Sequence, residues 1–347
     1  MARIPEGRLL AALRGYVSAA IGCPPARVAE ASRFPDGNRH AVYKVSYLDP
    51  AGATTEVVVR VCSGSGPDDC SRAEWEARVL AKTGGTAAPL LYDFRLRSEW
   101  FGTPAMCMQF VPGHQMELGS ANPAEIERLG SVVRWVHDRP VDDLVEGHEG
   151  EDVEDVVAYA ERRLRSIVST LIWVRDPLPG LTQARLRAAA DSVETTVETS
   201  REARSFRTGE ALALQHGDIG PGNVRWGPDP VLIDWEYARL GDPADEIAYV
   251  FDQNGLTGAQ REAFWRGYRV GAGGRAALAQ IADRVDWWEP VTLLGSALWW
   301  VERWVRRAEA DAAGRADPAV PREPGYYSER VMSRLARLED RLTRDGR

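Results

Sequence analysis

Three oxygen-bearing side chains stand close together in the second half of the chain: Asp218, Asn223 and Asp234. They lie in Leu214-Gln-His216-Gly217-Asp218-Ile-Gly-Pro-Gly-Asn223-Val-Arg-Trp226, followed closely by Val231-Leu-Ile-Asp234-Trp-Glu236. A carboxylate beside an amide oxygen suits a hard cation such as magnesium, which keeps several waters and bridges phosphates. A further carboxylate at the same point can accept the proton of a hydroxyl. The plain alternative is an ordinary Asp/Asn turn with a helix cap. A lone His-Gly-Asp carries little weight; the ordered set is what is specific.

The elements around these residues are short. Ala211 to Leu214 are apolar and predict a strand entering a loop. Gly217 and Gly220 flank Asp218, where helix and sheet are both disfavoured. Asn223 opens a second short strand, Gly-Pro-Asp-Pro turns the chain, and Val231-Leu-Ile forms a third strand ending at Asp234. A hairpin therefore presents Asp218, Asn223 and Asp234 near one point.

A catalytic-loop Asp, an Asn five positions on and a metal-binding Asp at the next strand end form the protein-kinase arrangement. Here the loop reads His-Gly-Asp rather than His-Arg-Asp, and the metal Asp is followed by Trp-Glu rather than Phe-Gly. The pattern resembles the aminoglycoside phosphotransferase and choline-kinase-like superfamily, the small-molecule branch of the kinase fold. Gly241-Asp-Pro-Ala-Asp-Glu-Ile-Ala248 is similar to that family's Gly-Asp-Pro-x-x-Asp-Leu-Ala segment. The resemblance runs roughly from Phe34 to Phe251. It implies an α+β fold of two lobes: a small antiparallel-sheet nucleotide lobe, residues 1–111, and a large helical catalytic and substrate lobe, residues 112–347. It also implies that Asp218 is the base and that Asn223 and Asp234 hold Mg2+. Asp242 is expected to brace the catalytic loop by hydrogen bonds.

The first third supplies further candidates. Glu6 to Ile21 has helical apolar spacing and reads as a packing helix. Gly37 and Asn38 sit in a turn-rich loop before the alternating strand Ala41 to Tyr47, and match the family's phosphate-covering loop. No Gly-Lys-Ser/Thr follows, so the loop is not a Walker A. Arg60 interrupts the apolar run Thr55 to Val61, and a charge there must reach a partner or a ligand. Its fork can grip phosphate oxygens bidentately. Ser71 to Lys82 predicts a helix capped by Ser71. Glu76 on that helix is the expected partner of Arg60, with Glu74 one register error away. The strand Pro104 to Val111 breaks at Pro112-Gly113 and resembles the hinge between lobes, where Gln109 and Val111 would read adenine through backbone C=O and N–H.

The remainder predicts helices. Asn122-Pro123 is an N-cap with proline at the first helical position, and the apolar spacing ends at His137, which reads as structural. Asp152 to Trp173, Thr182 to Arg204, Pro243 to Asp252 and Thr257 to Val270 follow. A further helix carries Trp287-Trp288-Glu289, another Trp299-Trp300 and Glu302, and Tyr326 to Arg344 forms the last. Asp142 to Asp155 is strongly acidic. Such a run is usually a solvated face, but beside a cleft it would draw in a cationic substrate, as would Glu236, Glu289 and Glu302.

Composition bounds the function. The 347 residues carry a net charge of −8, which argues against a nucleic-acid partner. Cys23, Cys62, Cys70 and Cys107 lack metal-ligand spacing and read as reduced. No signal peptide is recognised, and Val291–Val301 is too short to span a bilayer. The expected location is the cytoplasm. The expected reaction moves the γ-phosphoryl of ATP, with Mg2+, onto a small-molecule hydroxyl. An aminoglycoside-like or other cationic antibiotic is the first acceptor class. A choline, homoserine or thiosugar type of metabolite is the second. A regulatory pseudokinase is a third reading, disfavoured by the intact Asp218, Asn223 and Asp234.

Overall fold

The computed structural model describes residues 6–34, 40–64, 66–145, 155–173, 178, 180–269, 275–314 and 323–345. It is a mixed α+β chain. Helix α1 (Glu6–Ile21) precedes strands β1 (Val28–Arg33), β2 (Ala41–Leu48) and β3 (Thr54–Val61). Helix α2 (Pro67–Thr83) leads to β4 (Leu91–Arg95) and β5 (Ala105–Gln109). These strands form one antiparallel sheet in the order β1-β2-β3-β5-β4. Its apolar face carries Val45, Val57, Val59 and Cys107, covered by Leu13, Tyr16 and Val17 of α1. Tyr16 reaches through this core and donates its hydroxyl hydrogen to the Ala105 carbonyl at 3.0 Å.

Strand β1 carries no sequence signal strong enough to stand out: most of it is exposed, as befits a sheet edge. Helix α2 begins four residues before the expected Ser71. Its true start has Pro67 in the first turn with Asp68 and Asp69 beside the positive helix end, a stronger signal than Ser71.

The helical part comprises α3 (Pro123–His137), the single turn α4 (Asp142–Val145), α5 (Val156–Ser169), α6 (Gln183–Thr199), α7 (Pro243–Gln253), α8 (Gly258–Tyr268), α9 (Arg275–Ala312) and α10 (Pro324–Asp345). Between α6 and α7 lie β6 (Ala213–Gln215), β7 (Val224–Arg225), β8 (Val231–Leu232) and β9 (Arg239–Gly241), paired β6 with β9 and β7 with β8. The tryptophan-bearing stretches expected as two helices are one helix of 38 residues with Pro290 inside it. A proline removes one backbone bond. The buried stripe Trp288, Val291, Leu294, Leu298 and Val301 continues across it, and α9 packs on α7 and α10 along its length. Trp287 and Trp288 are buried core, whereas Trp299 is exposed.

By compactness the chain groups into two units. The first contains residues 1–116, 128–150 and 216–239, hence the five-stranded sheet, α2 and the β7–β8 hairpin. The second contains residues 117–127, 151–215 and 240–347. Gly37 and Asn38 lie outside the described residues, as do Glu146, Glu149, Glu151, Asp152 and Glu154 of the acidic run.

Candidate active site

Strand β6 runs straight into the His216–Asp218 loop. Gly217 has φ +83°, and a Cβ there would lie 2.2 Å from the Tyr237 carbonyl oxygen, so only glycine fits. His216 is fully buried. Its Nε2–H donates to the Ile233 carbonyl at 2.9 Å, and its Nδ1 accepts from the Asp218 backbone N–H at 3.2 Å. Those two bonds fix the tautomer, and the ring lies 4.7 Å from that of Trp235. His216 therefore ties the loop to the strand end that carries Asp234.

Asn223 closes the loop from the other side. Its Nδ2 donates to the Asp218 carbonyl and to Asp218 Oδ2, both at 2.9 Å. Both bonds use the amide nitrogen, so the amide oxygen is the atom Asn223 can present to a cation. In the hairpin Val224 faces Leu232 and Arg225 faces Val231, and Ile233 N–H bonds the Asn223 carbonyl at 2.9 Å. Asp234 follows with φ 64°, the one non-glycine residue with positive φ among the described residues. Such a conformation costs a carboxylate-bearing residue about 1–3 kcal/mol and persists where its surroundings enforce it. Here the enforcer is Trp235, fully buried, with its indole N–H on the Leu232 carbonyl at 2.9 Å.

The turned Asp234 meets Arg60. Arg60 Nη1 lies 3.4 Å from Asp234 Oδ1, and Arg60 Nη2 is paired with Glu76. Arg60 and Glu76 are both buried, and Glu74 is exposed, so the helix acid in register with Arg60 is Glu76. A buried cation with a carboxylate on each side keeps its charge and a fixed direction. Asp234 retains 48% of its side-chain surface. Desolvation in this crowded spot nevertheless raises its pKa, against the pull of Arg60 and with the repulsion of Glu236. Nearby, His40 Nε2 lies 3.3 Å from Glu236 Oε2.

The hinge segment is stitched to the same hairpin. The Gln109 N–H bonds the Leu90 carbonyl at 2.8 Å and its side-chain oxygen takes the Leu90 N–H at 3.2 Å, which leaves the Gln109 carbonyl for a ligand. Past Val111, His114 and Trp226 exchange backbone bonds of 3.2 and 3.0 Å. Gly113 at φ +134° permits this approach, since a Cβ there would lie 2.6 Å from the Trp226 carbonyl oxygen. Asp218, Asn223, Asp234, Arg60, Glu76, Gln109 and Val111 thus all lie in the first compact unit.

Other expectations change. Asp242 does not turn its carboxylate to the catalytic loop. It caps α7 through the Ala244 N–H and binds Arg284 Nε at 2.9 Å and the Trp288 indole N–H at 2.8 Å. Its link to the loop is its backbone carbonyl, which accepts from Gln215, the residue before His216. Arg284 is fully buried and also bonds Glu210 at 2.7 and 2.9 Å. One arginine in a helix gives no sequence signal of this role. Among the described residues, four of the acidic side chains expected to draw in a cation have partners within the protein. Asp143 pairs with Lys82, Asp155 caps α5, Glu302 pairs with Arg306, and Glu289 is buried between Arg261 and Arg341.

No curated protein sequence matches the chain. Among solved structures, choline kinase from Cryptosporidium parvum superposes with TM-score 0.64 at 11% identity, covering 96% of this chain and 95% of that one. Plasmodium vivax ethanolamine kinase gives 0.61 at 14%, covering 90% and 83%. A spectinomycin phosphotransferase in complex with ADP and spectinomycin gives 0.60 at 13%, covering 94% and 97%. At such identities the likeness shows the protein-kinase-like fold. The phosphotransferase enzyme family, APH, matches residues 30–281. The chain belongs to that family of phosphotransferases acting on hydroxyl groups of small molecules.

Proposed function

We propose that the protein transfers the γ-phosphoryl group of ATP to a hydroxyl of a small cationic molecule, with an aminoglycoside-like or other amine-bearing antibiotic as the acceptor class. The observation that carries this reading is the closed Asp218–Asn223 loop lying beside Asp234 and the Arg60–Glu76 pair. Asp218 orients the acceptor hydroxyl and takes its proton. Glu76 holds Arg60 so that its fork meets phosphate oxygens bidentately. The Gln109 carbonyl and the Val111 N–H read the base, and Gly37 with Asn38 covers the phosphates. Asn223 and Asp234 offer one amide and one carboxylate oxygen, an all-oxygen donor set that fits magnesium. Magnesium, when bound, would supply charge neutralisation across the phosphate oxygens. On this reading residues 1–111 bind the nucleotide, and residues 112–347 carry the base and the acceptor.

The choice of a cationic acceptor rests on the net charge of −8 and on the amine-bearing compounds named for the spectinomycin and ethanolamine enzymes. A choline or ethanolamine type of metabolite is the second reading, favoured by the equally good superposition on the choline kinase. Among the described residues no helix is long and apolar enough to cross a membrane, which accords with a cytoplasmic enzyme. The deciding experiment is a coupled ADP-release assay over aminoglycosides, peptide antibiotics, choline, ethanolamine, homoserine and neutral sugars. Asp218→Asn is the control. A neutral sugar as best acceptor overturns the cationic assignment. Turnover that survives in Asp218→Asn overturns the base.

A further inference from the structure

One face of α10 carries Arg330, Arg334, Arg337 and Arg341 on successive turns. The C-terminal half of this stripe is neutralised. Arg341 pairs with Asp286 at 3.5 Å and Glu289 at 3.1 Å, and Arg337 pairs with Asp252 at 3.2 Å. The N-terminal half is different: among the described residues neither Arg330 nor Arg334 has a carboxylate partner. Both are half-buried. Arg334 donates to neutral oxygens: Ser296 Oγ, the Gln253 side-chain oxygen at 2.9 Å and the Arg330 carbonyl at 3.0 Å. Arg330 lies 3.6 Å from the centre of the Tyr326 ring and bonds the Tyr326 carbonyl at 3.0 Å. Burial first, then Arg337 and Arg330, push the Arg334 pKa down, with Tyr249 opposing. The fully engaged arginines of the core, Arg60 and Arg284, each have two carboxylates. Two adjacent, partly dehydrated guanidinium groups without an acid are costly unless an anion completes their surroundings.

The groups around this pair are donors. Ser296 and Gln253 give oxygen atoms to Arg334, so the Ser296 hydroxyl hydrogen and the Gln253 amide NH2 remain to donate. Thr292 stands one turn before Ser296 on the same face of α9. It is 8% exposed, and its hydroxyl has no partner. A buried hydroxyl left unbonded is an unmet donor. Trp300, one turn after Ser296, lies 5.1 and 5.7 Å from the Arg330 and Arg334 guanidinium groups. We propose that Arg330 and Arg334, with Ser296, Thr292 and Gln253, form a binding site for a small oxyanion, a phosphate or carboxylate group. The planar fork of arginine suits either one bidentately. All five residues belong to the second compact unit, whereas the residues read as phosphoryl-transfer machinery up to Asp234 belong to the first. The site is additional to the nucleotide site and does not rest on the reading of it.

The test is calorimetric titration of the purified full chain with inorganic phosphate and with succinate, each in the presence and absence of ADP. Wild type is expected to bind at least one of the two oxyanions, with ADP making no difference. Arg334→Gln and Arg330→Gln are each expected to weaken that binding about 10- to 100-fold, the scale of a lost charge-assisted hydrogen bond, and to leave ADP affinity unchanged. Thr292→Val keeps the side-chain shape without the hydroxyl and is expected to cost about 3- to 10-fold. Circular dichroism and the melting temperature check the fold. Should an arginine variant not fold, Thr292→Val is read in its place. Binding of phosphate alone or of succinate alone keeps the site and names its oxyanion. An oxyanion displaced by ADP sits at the nucleotide site and overturns the proposal. Wild-type affinity in the folded variants, or a wild type that binds neither oxyanion, overturns it as well.

Discussion

Arg284 makes the largest single prediction, because nothing can replace it. It is fully buried and bonds Asp242, also fully buried, through Nε at 2.9 Å. The Trp288 indole N–H supplies the remaining partner of Asp242 Oδ2 at 2.8 Å. Arg284→Met keeps most of the volume and removes the charge. Asp242 is then a buried carboxylate without a cation, and breaking one side of a buried pair costs about 3–5 kcal/mol. For a unit of this size each kcal/mol shifts the melting temperature by about 2–4 °C, so a fall of about 6–20 °C is expected. Burial already raises the Asp242 pKa, with Arg284 opposing; in the variant that upward push is unopposed. A carboxyl whose folded pKa exceeds its unfolded value, about 4, loses stability as pH rises through the interval between them. The deficit of Arg284→Met should therefore be widest near pH 8 and shrink toward pH 5. Asp242→Asn in the same chain should return part of the loss, since no charge remains to be buried. Differential scanning fluorimetry of wild type and the two variants at both pH values reads this. A deficit independent of pH, or a fall of under about 2 °C, would refute the reasoning.

Three further outcomes are expected. Gly217→Ala forces a side chain at φ +83° toward a carbonyl 2.2 Å away, so melting temperature and turnover should both fall; unchanged values would contradict the loop geometry. Asp218→Asn should retain nucleotide affinity in calorimetry and lose about 10²–10⁴-fold in kcat, and turnover within a few-fold of wild type would remove Asp218 from the chemistry. The raised Asp234 pKa means that its proton competes with magnesium at a higher pH than for an ordinary carboxylate. The gain in ATP affinity from magnesium should thus fade as pH drops from 8 to 5. A constant gain would argue that Asp234 is not a ligand.

The local arrangement of these side chains was legible in the chain because it is encoded locally. Asp218 and Asn223 are five residues apart in one loop, and the Gly-Pro-Asp-Pro turn brings Asp234 back beside them through a two-residue strand pairing. Spacing of that kind survives without knowledge of the rest. The same holds for α7, whose Asp242 cap and Pro243 announce its start, and for the Arg60 strand, where a cation in an apolar run had to find a partner. Which partner it found was a matter of register: Glu76 is buried against Arg60 and Glu74 is exposed, a choice set by how α2 packs on the sheet.

Longer reaches were not legible. Asp242 meets an arginine 42 residues away, on a helix whose continuity across Pro290 depends on its packing against α7 and α10. Of the acids counted as substrate-drawing side chains, Glu289 was spent on two arginines and Asp155 on a helix cap, since a buried carboxylate without a partner would not be tolerated. The positive φ of Asp234 likewise belongs to the tertiary structure: the buried Trp235 and the Leu232 carbonyl hold a turn that Asp234 alone would not adopt. Sequence spacing determined which oxygen-bearing side chains come together, because those groups share one hairpin and loop. Only packing decided which charges remained available to a ligand, because each ion pair is settled by neighbours distant in the chain.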